Sequence, residues 1–224
     1  MYRERRITVV IPCLNEEEGI RKVLDSLPSF VDEVIVVDNN STDRTAEISR
    51  AMGAIVIKEF NRGYGRAYKK GFSAATGDII VTLDGDHSYP ADALSYLLEA
   101  FFYCNVGFLS ASRFPTLKKG AMTFKHRIGN KILSLTMSIL FLRWVNDSQS
   151  GMWVFRRNAL SKMALSSDGM AFSEEIKIEA IRNRDIGFHE ISINYSQRIG
   201  EIKLQPWRDG LQNILFLFKK RLTS

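Results

Sequence analysis

Asp84-Gly-Asp86 follows directly on the apolar run Ile79 to Leu83. Two carboxylates beside a glycine can hold a hard divalent cation against diphosphate oxygens. The same residues suit a polar turn leading into a helix at Pro90. Two more polar clusters close apolar runs in this way: Pro12-Cys-Leu-Asn-Glu16 after Ile7–Ile11, and Asp38-Asn-Asn-Ser-Thr-Asp43 after Glu33–Val37. Asp38 and Asn40 can accept from a nucleobase or ribose, while Glu16 suits a hydroxyl or base amine better than a phosphate. Each cluster also reads as an Asx turn or helix cap. Gly63-Tyr-Gly-Arg-Ala-Tyr-Lys-Lys-Gly71 is glycine-rich and basic, but it fits neither the dinucleotide fingerprint nor the phosphate loop of nucleotide hydrolases. It can bring Arg66 or Lys69 to a nucleotide, or present a solvated helix face.

Clusters this far apart meet only if the elements between them lead to one edge. Ile7–Ile11 reads as a buried strand. Asn15 can cap the next helix, with Glu18 completing a capping box and Ile20, Val23, Leu24 and Leu27 forming the apolar face. Glu33–Val37 is a second strand, Ser41 and Thr42 open a helix to about Met52, and Ala54–Ile57 is a third strand. A helix follows Gly65, Asp78–Leu83 is a fourth strand, Pro90 suits a first helical turn, and Gly107–Ala111 is a fifth strand. This alternation predicts an α/β fold, a mainly parallel central sheet with helices on both faces. Ligands of such sheets bind beyond the carboxyl ends of the strands, where all three polar clusters fall. From about residue 115 the alternation fades into a basic segment and an amphipathic helix up to Val145. A helix over Glu174–Arg182, a strand over His189–Tyr195 and a last helix over Trp207–Arg221 follow.

The chain of 224 residues fits one α/β domain and has no repeat or flexible linker. Its net charge of +6 suits anionic partners. The positive charge is not interleaved with aromatics as a nucleic-acid stacking platform would be, so no nucleic acid is expected. Cys13 and Cys104 lack zinc spacing and favour a reducing, cytoplasmic setting. The start lacks the pattern of a signal peptide. The longest apolar stretch, Ile132 to Val145, is interrupted by Ser134, Thr136, Ser138 and Arg143 and is too short to span a bilayer. His87, His126 and His189 form no metal-binding pattern.

Taken in order, the motifs resemble family-two glycosyltransferases, the inverting enzymes that use nucleotide sugars. The resemblance is nearest to the polyprenyl-phosphate branch with the dolichol-phosphate mannose and glucose synthases. It runs from Val9-Val-Ile-Pro-Cys-Leu-Asn-Glu16 to Arg208-Asp-Gly-Leu211, by way of Val36-Val-Asp-Asn-Asn-Ser-Thr-Asp43, Asn61-Arg-Gly-Tyr-Gly65 and Asp84-Gly-Asp86. Ser112-Arg-Phe114, Asp147-Ser-Gln-Ser-Gly151 and Arg198-Ile-Gly-Glu-Ile-Lys203 complete it. The resemblance implies an A-type nucleotide-sugar glycosyltransferase fold, with a nucleotide-sugar half over about 1–114 and an acceptor half over about 115–224. It implies that Pro12, Glu16, Asp38 and Asn40 line the nucleotide pocket. Asp84 and Asp86 would serve the diphosphate and a Mg²⁺ or Mn²⁺ ion, Asp86 being catalytic. Arg113 and Arg127 would face the acceptor phosphate. Asp147, Ser148 and Ser150 would lie near the sugar, with Arg198 and Lys203 on a late lid-like segment. UDP-sugars are favoured over GDP-mannose as donors. Ser88 stands where some relatives carry a glutamine, which opens the question of a third metal ligand. Many relatives continue into transmembrane helices, which leaves room for a membrane partner subunit.

A polyprenyl or dolichyl phosphate acceptor has a second pKa of about 6, so it is largely dianionic at neutral pH and needs positioning more than deprotonation. Forked hydrogen bonds from Arg113 and Arg127 can supply that, although either can instead sit in a surface ion pair. A saccharide hydroxyl acceptor would require a base, for which Glu174 and Glu175 are candidates; helix-start acids are also ordinary dipole-stabilising residues. Lys118, Lys119, Lys125 and Arg127 precede the apolar residues from Ile132 to Leu142, and Leu211 to Phe218 lead into Lys219-Lys-Arg221. These amphipathic patterns suit the cytoplasmic face of a membrane, or packing on the domain core. The expectation is a peripheral hexosyltransferase. The alternatives are a transferase acting on saccharides and a non-catalytic nucleotide-sugar-binding subunit.

Overall fold

In the computed structural model, which describes residues 1–114, 116, 120–200 and 206–223, β1 (Ile7–Cys13) is buried on both faces. Ile7, Val9, Ile11 and Cys13 join one apolar cluster and Val10 another, as the two-residue period of a central strand requires. β2 (Glu33–Asp38) and β3 (Ile55–Lys58) lie parallel on one side of β1, and β4 (Ile79–Thr82) lies parallel on the other. Beyond β4 come β6 (Trp153–Arg156), β5 (Phe108–Ser112) and β7 (Phe188–Ser192), giving the order β3-β2-β1-β4-β6-β5-β7. The sheet is mainly parallel, as the alternation predicts. β6 alone runs antiparallel to its neighbours, and it is an addition to the sequence reading. A run of four residues carries too little period to tell strand from helix.

Helices cover both faces. α1 (Glu17–Asp25), α2 (Thr45–Ala51) and α4 (Leu94–Tyr103) pack on one through Ile20, Val23, Ile48, Leu97 and Phe101. α3 (Tyr64–Ala74), α5 (Phe124–Phe141), α6 (Phe172–Arg182) and α7 (Pro206–Leu222) pack on the other through Tyr68, Phe72, Met137, Phe172 and Leu217. Each such side chain contributes about 1.5–3 kcal/mol on burial, so both faces are firmly held. The chain winds from β1 to β2 and β3 in one direction, then returns to place β4 on the other flank of β1. That reversal makes the carboxyl ends of β1 and β4 the switch point of the sheet, the place where ligands of open α/β sheets bind.

Two sequence expectations about helix starts are corrected. Asn15 takes a left-handed φ of 52° and its Oδ1 accepts from the Thr42 amide at 2.8 Å, not from its own helix. In exchange, Ser41 Oγ accepts from the Asn15 amide, Thr45 Oγ1 from Glu16 and Asp43 Oδ2 from Glu17, at 3.0, 2.8 and 3.1 Å. Glu17 Oε2 accepts from the Arg44 amide at 2.9 Å. The loops after β1 and β2 thus cap each other's helix starts, in place of a capping box at Asn15 and Glu18. Because residues 41–43 are committed to that exchange, α2 begins at Thr45 rather than Ser41.

Candidate active site

The loop after β4 nests against β1 and α1 only because its contacts are small. A Cβ on Gly85 would lie 2.6 Å from Cys13 Sγ, and one on Gly19 of α1 would lie 2.5 Å from the Gly85 carbonyl. This seating buries Asp86 to 6% exposure. Its Oδ1 accepts from the Ser88 amide at 2.9 Å and from Ser88 Oγ at 2.5 Å. Ser88 is fully buried, so it orients Asp86 where a third metal ligand had been in question. Asp84 is half-buried, and Gly151 packs against it: a Cβ there would collide with the Tyr64 hydroxyl and lie 3.2 Å from Asp84 Oδ1. Burial first, then the negative charges of Asp86 and Glu16, push the Asp84 carboxyl up to about 7 against the opposing pull of Arg113 and Arg198.

Arg198 arrives from the other end of the chain. Its Nη2 meets Glu16 Oε1 at 3.1 Å and its Nε lies 3.6 Å from Asp86 Oδ2. Backbone bonds fix this late segment along the loop, from Ser196 to the Ser88 carbonyl at 3.0 Å and from Ile199 to the Asp86 carbonyl at 2.9 Å. Glu16, Asp84, Asp86 and Arg198 are therefore brought together. At the end of β2, Asp38 is 4% exposed and its Oδ1 accepts from the Ser41 amide at 2.9 Å, while Asn40 holds a left-handed φ of 65°. Pro12 is half-buried opposite Val37, past the last β1–β4 pair, where the sheet no longer needs its missing donor on that side. Asn39 does more than its place in the motif suggested: its Nδ2 donates to the Asn61 and Glu59 carbonyls, and its Oδ1 accepts from the Gly63 amide at 2.8 Å.

On the acceptor side, two of the expected residues meet one another. Arg113, 8% exposed, forks onto Asp147 through Nε at 2.7 Å and Nη2 at 2.8 Å, and its backbone amide donates to Oδ2 at 3.0 Å. It also lies over the Tyr195 ring at 5.4 Å. Two residues expected to face different ligands thus neutralise each other in a buried pair, which holds the Asp147 carboxyl below the usual range despite its burial. Ser148 and Ser150 are fully buried too. Ser134 Oγ accepts from the Ser148 amide at 2.9 Å, and Ser150 Oγ donates to the Ala111 carbonyl. Both hydroxyls have partners within the protein, Ser148 Oγ with Ser134 and Gln149 and Ser150 Oγ with the Ala111 carbonyl.

Lys177, absent from the sequence reading, is what holds this loop. It is fully buried, and its Nζ donates to the carbonyls of Asp147, Ser148 and Ser150 at 3.1, 2.8 and 2.8 Å. Helical spacing was the available signal, since Lys177 shares the inner face of α6 with Ser173, Ile176 and Ala180. Glu174 is fully buried, and its Oε1 accepts from Gln149 Nε2 at 2.7 Å. Burial pushes its carboxyl well above the ordinary carboxylate range. Glu175 accepts from the Ser166 and Ser167 amides at 3.0 and 2.7 Å and pairs with Lys220. Arg127 is exposed early in α5 and makes no ion pair among the described residues. Arg66 and Lys69 both meet Asp168, at 2.6 and 2.7 Å. Lys203 lies outside the described residues, as do Lys118 and Lys119.

Asp84 and Asp86 suit a hard divalent cation by the chemistry of their oxygens and by the negative charge crowded at Asp84. Among the described residues no three acids, histidines or cysteines cluster closely enough to cage a metal alone. The pair therefore fits an ion that draws its other ligands from diphosphate oxygens and water, as Mg²⁺ commonly does.

The family model described as Glycosyl transferase family 2 matches residues 8–164. The low-salt glycan biosynthesis hexosyltransferase Agl6 of Haloferax volcanii is 34% identical over 218 residues, 94% of this chain. The chain spans about half of that relative's length, 52%. A dolichyl-phosphate hexose transferase of the same organism is 34% identical over 211 residues, covering 91% of this chain and 89% of the relative. Among solved structures, glucosyl-3-phosphoglycerate synthase from Mycobacterium tuberculosis, in complex with Mn²⁺, UDP-glucose and phosphoglyceric acid, matches with a TM-score of 0.78 and 22% identity. The match covers 97% of this chain and 80% of that one, a likeness of fold.

Proposed function

The chain belongs to glycosyl transferase family 2, and we propose that it is an inverting hexosyltransferase moving a sugar from a nucleoside diphosphate donor to a polyprenyl or dolichyl phosphate. The observation that carries this reading is the Asp84–Asp86 pair, held just after β4 at the switch point between β1 and β4, with Arg198 joined to Glu16 and close to Asp86. The likeness to a dolichyl-phosphate hexose transferase over nearly its whole length supports the acceptor.

We assign Pro12, Glu16, Asp38 and Asn40 to the nucleoside and Asp84 and Asp86 to the diphosphate end. A Mg²⁺ or Mn²⁺ ion at Asp84 and Asp86 would supply positive charge where the leaving diphosphate becomes more negative. Ser88 and Arg198 keep the Asp86 carboxylate in one orientation, so little reorganisation is needed as charge develops. Arg198, with Lys203 beyond it, acts as the strap over the donor. The Arg113–Asp147 pair and Lys177 act as positioning groups that fix the loop ending at Gly151 against Asp84.

The acceptor phosphate is already a dianion, so no base is required. Arg127, exposed and without an ion pair among the described residues, is assigned to meet it. The saccharide reading needs a base, and Glu174 is buried and held by Gln149. UDP-sugars are favoured as donors by the fold likeness to a UDP-glucose enzyme. The division of labour follows: about 1–114 takes the donor and about 115–224 the acceptor, at the cytoplasmic face of a membrane and with room for a membrane partner. No helix among the described residues is long and apolar enough to cross a bilayer.

The test is transfer from radiolabelled UDP- and GDP-sugars to a short polyprenyl phosphate with Mg²⁺ or Mn²⁺. Lipid-extractable product should form from one donor and fall about 10³-fold in Asp86→Ala. Donor hydrolysis without lipid product would overturn the acceptor, and product formation that survives Asp86→Ala would overturn the site.

A further inference from the structure

A helix on the surface of a globular protein turns its apolar side inward and its polar side to water. α5 and α7 break this rule together. On α5 the inner face is Leu133, Ser134, Met137 and Ser138. The opposite side exposes Phe124, Ile128, Ile132, Leu135, Ile139 and, just past the helix, Leu142, at 44% to 87% of their surface. Their spacing of three and four residues makes one continuous stripe at about 100° per residue. α7 repeats the pattern: Asn213 and Leu217 are buried, while Leu211, Leu215, Phe218 and Leu222 are exposed along the other side. The two helices pack on each other, so both stripes belong to one region of the surface.

The charges around the stripes say what covers them. α5 contains no acidic residue, and α7 contains one, Asp209. The same helical spacing puts exposed Lys125 and Lys131 on either edge of the α5 stripe, and exposed Lys219 and Arg221 on either edge of the α7 stripe. Exposed Trp144 follows α5. A second copy of this chain would set cation against cation across a two-fold contact, which disfavours it as occupant. A bilayer with anionic headgroups matches both parts, the acyl boundary taking the stripes and the phosphates meeting the rims.

We propose that the paired outer faces of α5 and α7 form a docking surface for an anionic lipid bilayer, on which the chain lies without crossing it. The inference rests on the membrane-surface reading above and names where the membrane meets the chain, yet it is measured without any sugar transfer.

The experiment is co-sedimentation of the full chain with vesicles of phosphatidylcholine, alone or mixed with phosphatidylglycerol. The wild type should pellet with the mixed vesicles. The double variant Ile139→Asp/Leu215→Asp should lose about tenfold or more in partitioning, because each change replaces buried apolar area with a charge. Lys125→Glu/Lys131→Glu, which leaves the stripes intact, should lower it as well. Since all four side chains are exposed, unchanged thermal unfolding verifies that the variants fold. Equal binding to both vesicle types, or binding untouched by either double variant, would overturn the proposal. So would a dimer of the free chain that dissociates on Ile139→Asp/Leu215→Asp without vesicle binding, which would hand the face to a second copy. Vesicle binding with no sugar transfer from any donor would strike the transferase reading and leave the docking surface standing.

Discussion

Lys177 illustrates how a site can depend on a residue outside every motif. Its ammonium is held by three loop carbonyls, and each unpaired buried carbonyl costs about 1 kcal/mol or more. Lys177→Met keeps the volume but removes the donors, so it should lower the free energy of unfolding by about 3 kcal/mol in urea titrations. It should also reduce kcat about tenfold through loss of loop position. Burial lowers the Lys177 amine from 10.5 to about 8. Between those values the unfolded chain holds the proton and the fold does not, so this group makes stability rise with pH across that window. The rise should vanish from the pH profile of Lys177→Met. Glycines give a matched pair: Gly151→Ala, which collides with Tyr64 and crowds Asp84, should cost about 1–3 kcal/mol and weaken Mn²⁺-dependent donor binding in calorimetry. Gly129→Ala, in open space on α5, should stabilise by about 0.5–1 kcal/mol. Asp84, Asp86 and Glu16 were legible in the chain because they lie in polar clusters that close apolar runs, and Arg198 only through the family resemblance. The Arg113–Asp147 pair was not, since nothing local links residues that meet only after β5 and the loop before β6 are in place.

At the scale of elements, the sequence announced the strands of the first half because each is an apolar run, and three of them end in a polar cluster. It misplaced the helix starts after β1 and β2 because their caps are exchanged between segments, and local pattern reading assigns a cap to the helix that follows it. Asp43 is the hinge of this exchange, accepting from the Glu17 amide with one oxygen and from the Thr45 amide and hydroxyl with the other. Asp43→Ala should therefore loosen two helix starts at once. We expect a loss of about 1–2 kcal/mol in thermal unfolding. The donor KM should rise more than kcat falls, because the loops that move carry Glu16 and Asn40, and initial-rate kinetics over a range of donor concentrations separate the two. β6 was hidden for a different reason. Its place is set by partners on both sides, β4 and β5, and its own four residues specify little.

At the scale of the molecule, the net charge of +6 gains meaning from its placement. The sheet puts the Asp84–Asp86 site at the carboxyl ends of its inner strands, and α5 and α7 put an apolar, cation-rimmed face on the side formed by the second half. One loop links the two regions: Asn213 of α7 donates to Gln149 at 3.0 Å, and two residues later Gly151 packs against Asp84. If lipid attachment delivers the acceptor, salt should act on delivery before it acts on chemistry. The Debye length shortens from about 10 Å at 0.1 M to about 3 Å at 1 M, which screens exposed rim cations far more than the buried Arg113–Asp147 pair. Raising salt should therefore lower kcat/KM for a long-chain polyprenyl phosphate carried in anionic vesicles about tenfold, in parallel with vesicle binding. Transfer to a short, water-soluble polyprenyl phosphate should change less than about twofold over the same range. Equal losses with both acceptors would place the salt effect at phosphate recognition by exposed cations such as Arg127, and the membrane face would then have no part in catalysis.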